Sequence, residues 1–242
     1  MFDLHAIIGE IPDDVGAVLS PIIKLLVVFF GGVMTVAMAS KYRRKRRENP
    51  DDPSIVRRNM ASMLGLYTGS ALLASFDNLV GLKDIPYENA YLGTSVSLLF
   101  TAIANVFYFW FVLEVLYVSK EIASKKRFYL AIFLLVDAFL TISSLLLRVL
   151  ANPLFLVPLI VHGAASCFIF VLVLVKSFIL TKNSEDVEYR KKFASICIGT
   201  CFGLASLILF NIDSLSEHVT VYSVIGWLSL LALGYFLSKG YY

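Results

Sequence analysis

An aspartate stands alone in an uncharged stretch, "FLLVDAFL" around Asp137. An ionisable side chain is costly in hydrocarbon, so each one inside an apolar run is a candidate for ion, proton or ligand chemistry. Asp137 is the tenth residue of the run 128–147, about 15 Å from either end at the rise of an α-helix. His162, in "LIVHGAAS", lies about 12 Å into the next run by the same rise. Pro153 and Pro158 precede it, and proline frees carbonyls that can line a cavity. Lys24, Asp77, Arg148 and Asn211 fall at the corresponding ends of their own runs. With Asp137 and His162 they outline an expected polar pocket that opens to one side. Glu114 and Lys176 fall near the opposite ends, where a salt bridge or a snorkelling pair is the simpler role. Asn105 and Thr200, at mid-run, are expected to bond neighbouring helices. The cluster "FYFW", 107–110, reads as packing or lipid-facing surface.

Other chemistries lack their residues. The chain has three histidines, and no two of them stand at the spacing of a zinc site or of a haem pair within a helix. No G-x-S-x-G turn and no glycine-rich phosphate loop occurs. Cys167, Cys197 and Cys201 all lie inside apolar runs without a histidine at ligand spacing, so small packing residues is their expected role. Neither an enzymatic activity nor a metal or other cofactor is expected, and no catalytic residue is assigned.

The elements that must position these groups are legible in the composition. The 242 residues are 58% hydrophobic and 16% charged, where a soluble domain carries about 25% charge. Mean hydropathy is +0.78. Seven apolar runs recur near 17–40, 59–80, 92–118, 128–147, 154–175, 193–212 and 219–238. Each is long enough as a helix to cross about 30 Å of hydrocarbon. The expected fold is all-α: one seven-helix transmembrane domain over 17–242, with a short outer segment at 1–16. That segment, "MFDLHAIIGEIPDD", begins with an acid where a cleavable signal needs cations.

Charge sets the expected orientation. The stretch "SKYRRKRRENPDDPSIVRR", 40–58, holds eight Lys and Arg. Together with 119–127, 176–192 and Lys239, one side of a seven-span topology receives eighteen of the 21 cations. The other keeps Lys24, Lys83 and Arg148 among nine acids. Basic loops stay cytoplasmic, so the amino terminus is expected outside and the carboxyl terminus inside, in a multi-pass protein of the cell membrane. The basic loops are expected to touch anionic lipid headgroups. Nucleic acid is not expected, because no folded domain with base-reading side chains accompanies the charge.

An ungapped shift of 134 residues lays the first two runs on the fifth and sixth. Gly31-Gly32 then falls on Ala165-Ser166, and Arg57-Arg58 on Lys191-Lys192. Ala61, Gly65 and Gly69 fall on Ser195, Gly199 and Gly203, and Asp77 falls on Asn211. This pattern admits a parallel repeat of three helices, one linking helix and three helices. The third and seventh runs match poorly, although "YVSK" and "FLSK" close both.

Two functional readings follow. The first is a heptahelical, receptor-like or sensory protein, whose outward polar pocket takes a ligand and whose basic inner face meets a separate signalling partner or a second copy. Retinal is not expected, because the middle of the last run reads "GWLSLLALG" and Lys239 sits at its end. The alternative is a small transporter or channel for protons, cations or a small solute, or an accessory subunit of a membrane complex.

Overall fold

In the computed structural model the residues described are 13–49, 55–79, 92–116, 156–213 and 221–240, with scattered positions between 125 and 154. Six continuous helices run through them: α1 (Asp13–Glu48), α2 (Ile55–Leu79), α3 (Leu92–Leu116), α4 (Leu156–Asn183), α5 (Val187–Asp213) and α6 (Val221–Gly240). The positions described between 125 and 147 are helical too, so the fold is all-α with a seventh helical stretch. A helix bonds every backbone amide within its own segment, which hydrocarbon requires. By length and composition, Val18–Glu48, Ile160–Asn183, Val187–Phe210 and Val221–Lys239 can cross a bilayer, and they make the chain a multi-pass membrane protein. In α3 no charged residue stands between Leu92 and Leu113. α2 carries Arg57, Arg58 and a series of Ser, Thr and Gly between its apolar residues, which lowers its apolar content.

The helix ends depart from the sequence boundaries. The basic stretch after Ser40 does not open as a loop: α1 continues to Glu48, and the amide of Asn49 still donates to the Lys45 carbonyl at 2.9 Å. Lys and Arg are good helix formers, and Arg44 sits 3.7 Å from Glu48 one turn on. Pro50 follows, and a residue before proline is turned away from the helical region. The segment 176–192 is likewise mostly helical, with α4 running to Asn183 and α5 starting at Val187. Asp186 caps α5, its Oδ1 accepting the amides of Glu188 at 2.7 Å and Tyr189 at 3.3 Å. Of the expected outer segment 1–16, residues 13–16 belong to α1 and 1–12 lie outside the described residues, as do 50–54.

Packing follows chain order. α2 lies between α1 and α3, and α5 lies between α4 and α6. Narrower seams join α1 to α6, α3 to α4 and α2 to α6. The glycine stripes sit at the close contacts, though not in matching ways. A Cβ on Gly65 would meet Thr35 of α1, and one on Gly69 would meet Phe100 of α3. On α5 the order is exchanged, with Gly199 against Leu237 of α6 and Gly203 against Phe170 of α4. The core where the helices converge holds Met38, Met60, Met63, Tyr108, Phe111, Ile196, Leu233 and Leu237, all essentially buried. The outer faces are apolar as well, as at Phe29, Val33 and Val36 on α1 and Phe168, Leu172 and Val175 on α4.

Candidate functional site: a buried polar column

Polar side chains collect inside the bundle, and their spacing along the helices stacks them through its depth. Ser70 of α2 lies 2.7 Å from the Ser97 hydroxyl and 2.8 Å from the Thr101 hydroxyl of α3, and donates to the Ser97 carbonyl at 3.0 Å. One turn further in, at the midpoints of α2 and α3, the Tyr67 hydroxyl donates to Asn105 Oδ1 at 2.5 Å. One turn beyond that, Tyr108 of α3 meets Thr200 of α5 at 2.6 Å. Thr200 spends its single proton on the Ile196 carbonyl, 2.5 Å away, so Tyr108 is the donor in that pair. Tyr67 and Tyr108 are 5% and 0% exposed, so each phenol had to find its partner inside the protein.

The phenol of Tyr108 is also held by ring packing. Its ring stacks on Phe170 of α4 at 5.0 Å, and Phe109 meets the same Phe170 edge-on at 5.6 Å. Tyr108 thereby ties α3 to both α4 and α5. The "FYFW" cluster is packing surface, with Tyr108, Phe109 and Phe111 of this neighbourhood all buried.

Among the described residues, two polar side chains in the interior have no partner. Neither amide atom of Asn59, near the start of α2, makes a hydrogen bond, nor does the hydroxyl of Ser166 on α4. Both residues are 0% exposed. A crevice of about 10 Å³ opens where α1, α2 and α6 meet, lined by Gly31, Tyr67, Thr68 and Gly234 among others. It has room for about one water molecule.

The residues singled out by type and spacing are distributed as follows. Lys24, half-buried on α1, donates to the Ala74 carbonyl of α2 at 3.3 Å, one turn before Asp77. His162 is buried on α4, one turn outward of Ser166. Lys176 is half-buried further along the same helix. Lys24 and His162 thus lie on different helices, α1 and α4. Asp137 and Arg148 lie outside the described residues. Asp77, Glu114 and Asn211 belong to α2, α3 and α5, and their side chains lie outside the described ones. The expected outward pocket therefore has two of its six members described. Cys167, Cys197 and Cys201 are free thiols, and among the described residues no three metal-ligating side chains come together.

Asn105 and Thr200 make the interhelical bonds expected of them. Sequence reasoning missed Tyr67, Tyr108 and the Ser70–Ser97–Thr101 group. A signal for the first two was present: a tyrosine at the middle of an apolar run needs a partner for its hydroxyl. No family model matches the chain, and no curated protein or solved structure matches it either.

Proposed function

We propose that the chain is a small carrier, built of two three-helix halves, for an uncharged solute with hydrogen-bonding groups. The observation that carries this reading is the bond between Tyr108 and Thr200, which bridges the seam between α1–α3 and α4–α6 at the inner end of a polar column whose other members join α2 to α3. Each half is packed broadly within itself and more narrowly against the other. That division suits rocking of one rigid half on the other, the movement by which parallel-repeat carriers expose a midplane site to either side in turn. In this reading all seven apolar runs span the cell membrane, with the amino terminus outside, and the fourth links two parallel repeats. The shared packing order supports the repeat at the level of helices, while the exchanged glycine contacts do not follow it side chain by side chain. The column offers hydroxyl, phenol and amide groups, which match the donors and acceptors of a polyol, a sugar or an amide.

The sensory reading has one observation of its own. α1 is 36 residues long, about 54 Å, so a basic end carrying Lys45, Arg46 and Arg47 projects past the hydrocarbon where a signalling partner can reach it. Reconstitution separates the two. Proteoliposomes shifted into glycerol, glucose or urea should re-swell faster than protein-free vesicles for at least one solute, and Asn105→Leu should abolish the difference. Re-swelling equal to that of empty vesicles for every solute would remove the carrier reading and leave the sensory one.

A further inference from the structure

α1 and α2 run antiparallel in a constant register. Lys24 reaches Ala74, a Cβ on Gly31 would meet Thr68, and Gly65 faces Thr35. Carried ten residues further along α1, the same register sets Lys41 opposite Arg57. Arg44 lies one turn beyond Lys41 on the same face of α1. Burial is the first influence on the Lys41 amine, and the charges of Arg44 and then Arg57 act on it in the same sense. Lys41 and Arg57 are half-buried, so their stems are packed, whereas the Arg44 side chain is 71% exposed. Lys41 directly follows the apolar run 17–40, which places the cluster at headgroup depth. Glu48, which pairs with Arg44 at 3.7 Å, stands one turn further toward solvent.

Three like charges drawn together raise the energy of that corner, and an anion bridging them lowers it. Guanidinium forks and an ammonium are the donors that suit phosphate oxygens. At the foot of α5 Lys192 meets Glu188 at 2.6 Å, a closer ion pair than the one Arg44 makes with Glu48 at 3.7 Å. We propose that the inner foot of α1 and α2 is a binding site for a phosphate group, clasped by Lys41, Arg44 and Arg57. This site stands independently of whether the chain transports anything. An anionic lipid headgroup and free phosphate share the chemistry, and the experiment tells them apart.

Native mass spectrometry of the full chain, released from detergent with phosphatidylglycerol, phosphatidylcholine or inorganic phosphate present, reads the site directly. Retained phosphatidylglycerol should exceed phosphatidylcholine by about tenfold, the effect of one charge-assisted contact. The double variant K41Q/R57Q should lose that excess, and R46Q/R47Q, which removes the same charge from exposed positions on α1, should keep most of it. Displacement of the lipid by millimolar inorganic phosphate assigns the site to free phosphate, and its persistence assigns it to the headgroup. Equal loss in the two double variants would mean diffuse surface charge and overturn the proposal, as would retention of neither phosphatidylglycerol nor phosphate by the parent. Should K41Q/R57Q not fold, K41Q read against R46Q decides by the same criterion.

Discussion

Thr200 has one hydroxyl proton, and it goes to the carbonyl of Ile196 within its own helix. The interhelical bond at this node therefore depends on Tyr108 donating and Thr200 accepting, and the two substitutions are not equivalent. Tyr108→Phe removes the donor and leaves Thr200 satisfied by Ile196. Thr200→Val removes the acceptor and strands a fully buried phenol proton, which costs about 1–3 kcal/mol. Unfolding in detergent should thus rank Thr200→Val below Tyr108→Phe, and the double variant should recover most of the gap. Equal stability of the two single variants would reverse the donor assignment. A neighbouring prediction uses ring packing. A Cβ on Gly203 would stand 2.5 Å from the ring of Phe170, which stacks on Tyr108. Gly203→Ala should lower the melting temperature by displacing that ring, and the loss should shrink when Phe170 is shortened to Leu.

At the scale of elements, adjacent glycines on α1 have opposite duties. A Cβ on Gly31 would come 2.5 Å from Thr68 Oγ1, and Thr68 is β-branched and bonded to the Leu64 carbonyl at 2.7 Å. A Cβ on Gly32 would meet nothing within 4 Å. Gly31→Ala should therefore push α1 from α2 and lower the melting temperature. Gly32→Ala should be neutral or raise it, because alanine is the better helix former by about 1 kcal/mol. Thermal unfolding of the two variants side by side checks this, and equal effects would show that α1 and α2 do not meet along the face carrying Gly31. The stripe of Gly65 and Gly199 behaves in the same sense: leucine at Gly199 must displace Leu237 and press on the Leu233 carbonyl 3.4 Å away.

At the scale of the molecule, the eighteen-to-three division of Lys and Arg predicts where the termini lie. A reporter fused after Tyr242 should be cytoplasmic, and a tag before Met1 should be accessible from outside. Both termini on one side would mean an even number of spans and would remove the linking role proposed for the helical stretch between 125 and 147. The described positions in that stretch include Phe128, Leu135 and Phe139, all more than half exposed. Such a face suits lipid, as a linker wrapped around the outside of two halves would require.

Composition and charge settled what depends on one residue at a time. Transfer into hydrocarbon is nearly additive over side chains, so the apolar runs announced a membrane protein and marked where its helices lie, although α1 and α4 each run eight residues past the expected end and α5 starts six residues early. Asn105 and Thr200 were legible for the same reason, since a polar group at mid-run must be bonded wherever its helix points. Which partner each would find was not legible. A soluble helix declares its buried face by being polar on the other, whereas a helix in lipid is apolar all round and carries no such mark. The register that sets Tyr67 against Asn105, and the approach of α5 that brings Thr200 to Tyr108, were decided by shape: by where glycine let backbones close and where Phe170 filled the gap. Helix ends were decided the same way. The basic stretch after Ser40 read as a loop by its charge, but local side-chain pairing and the absence of a breaker before Pro50 carried α1 on to Glu48.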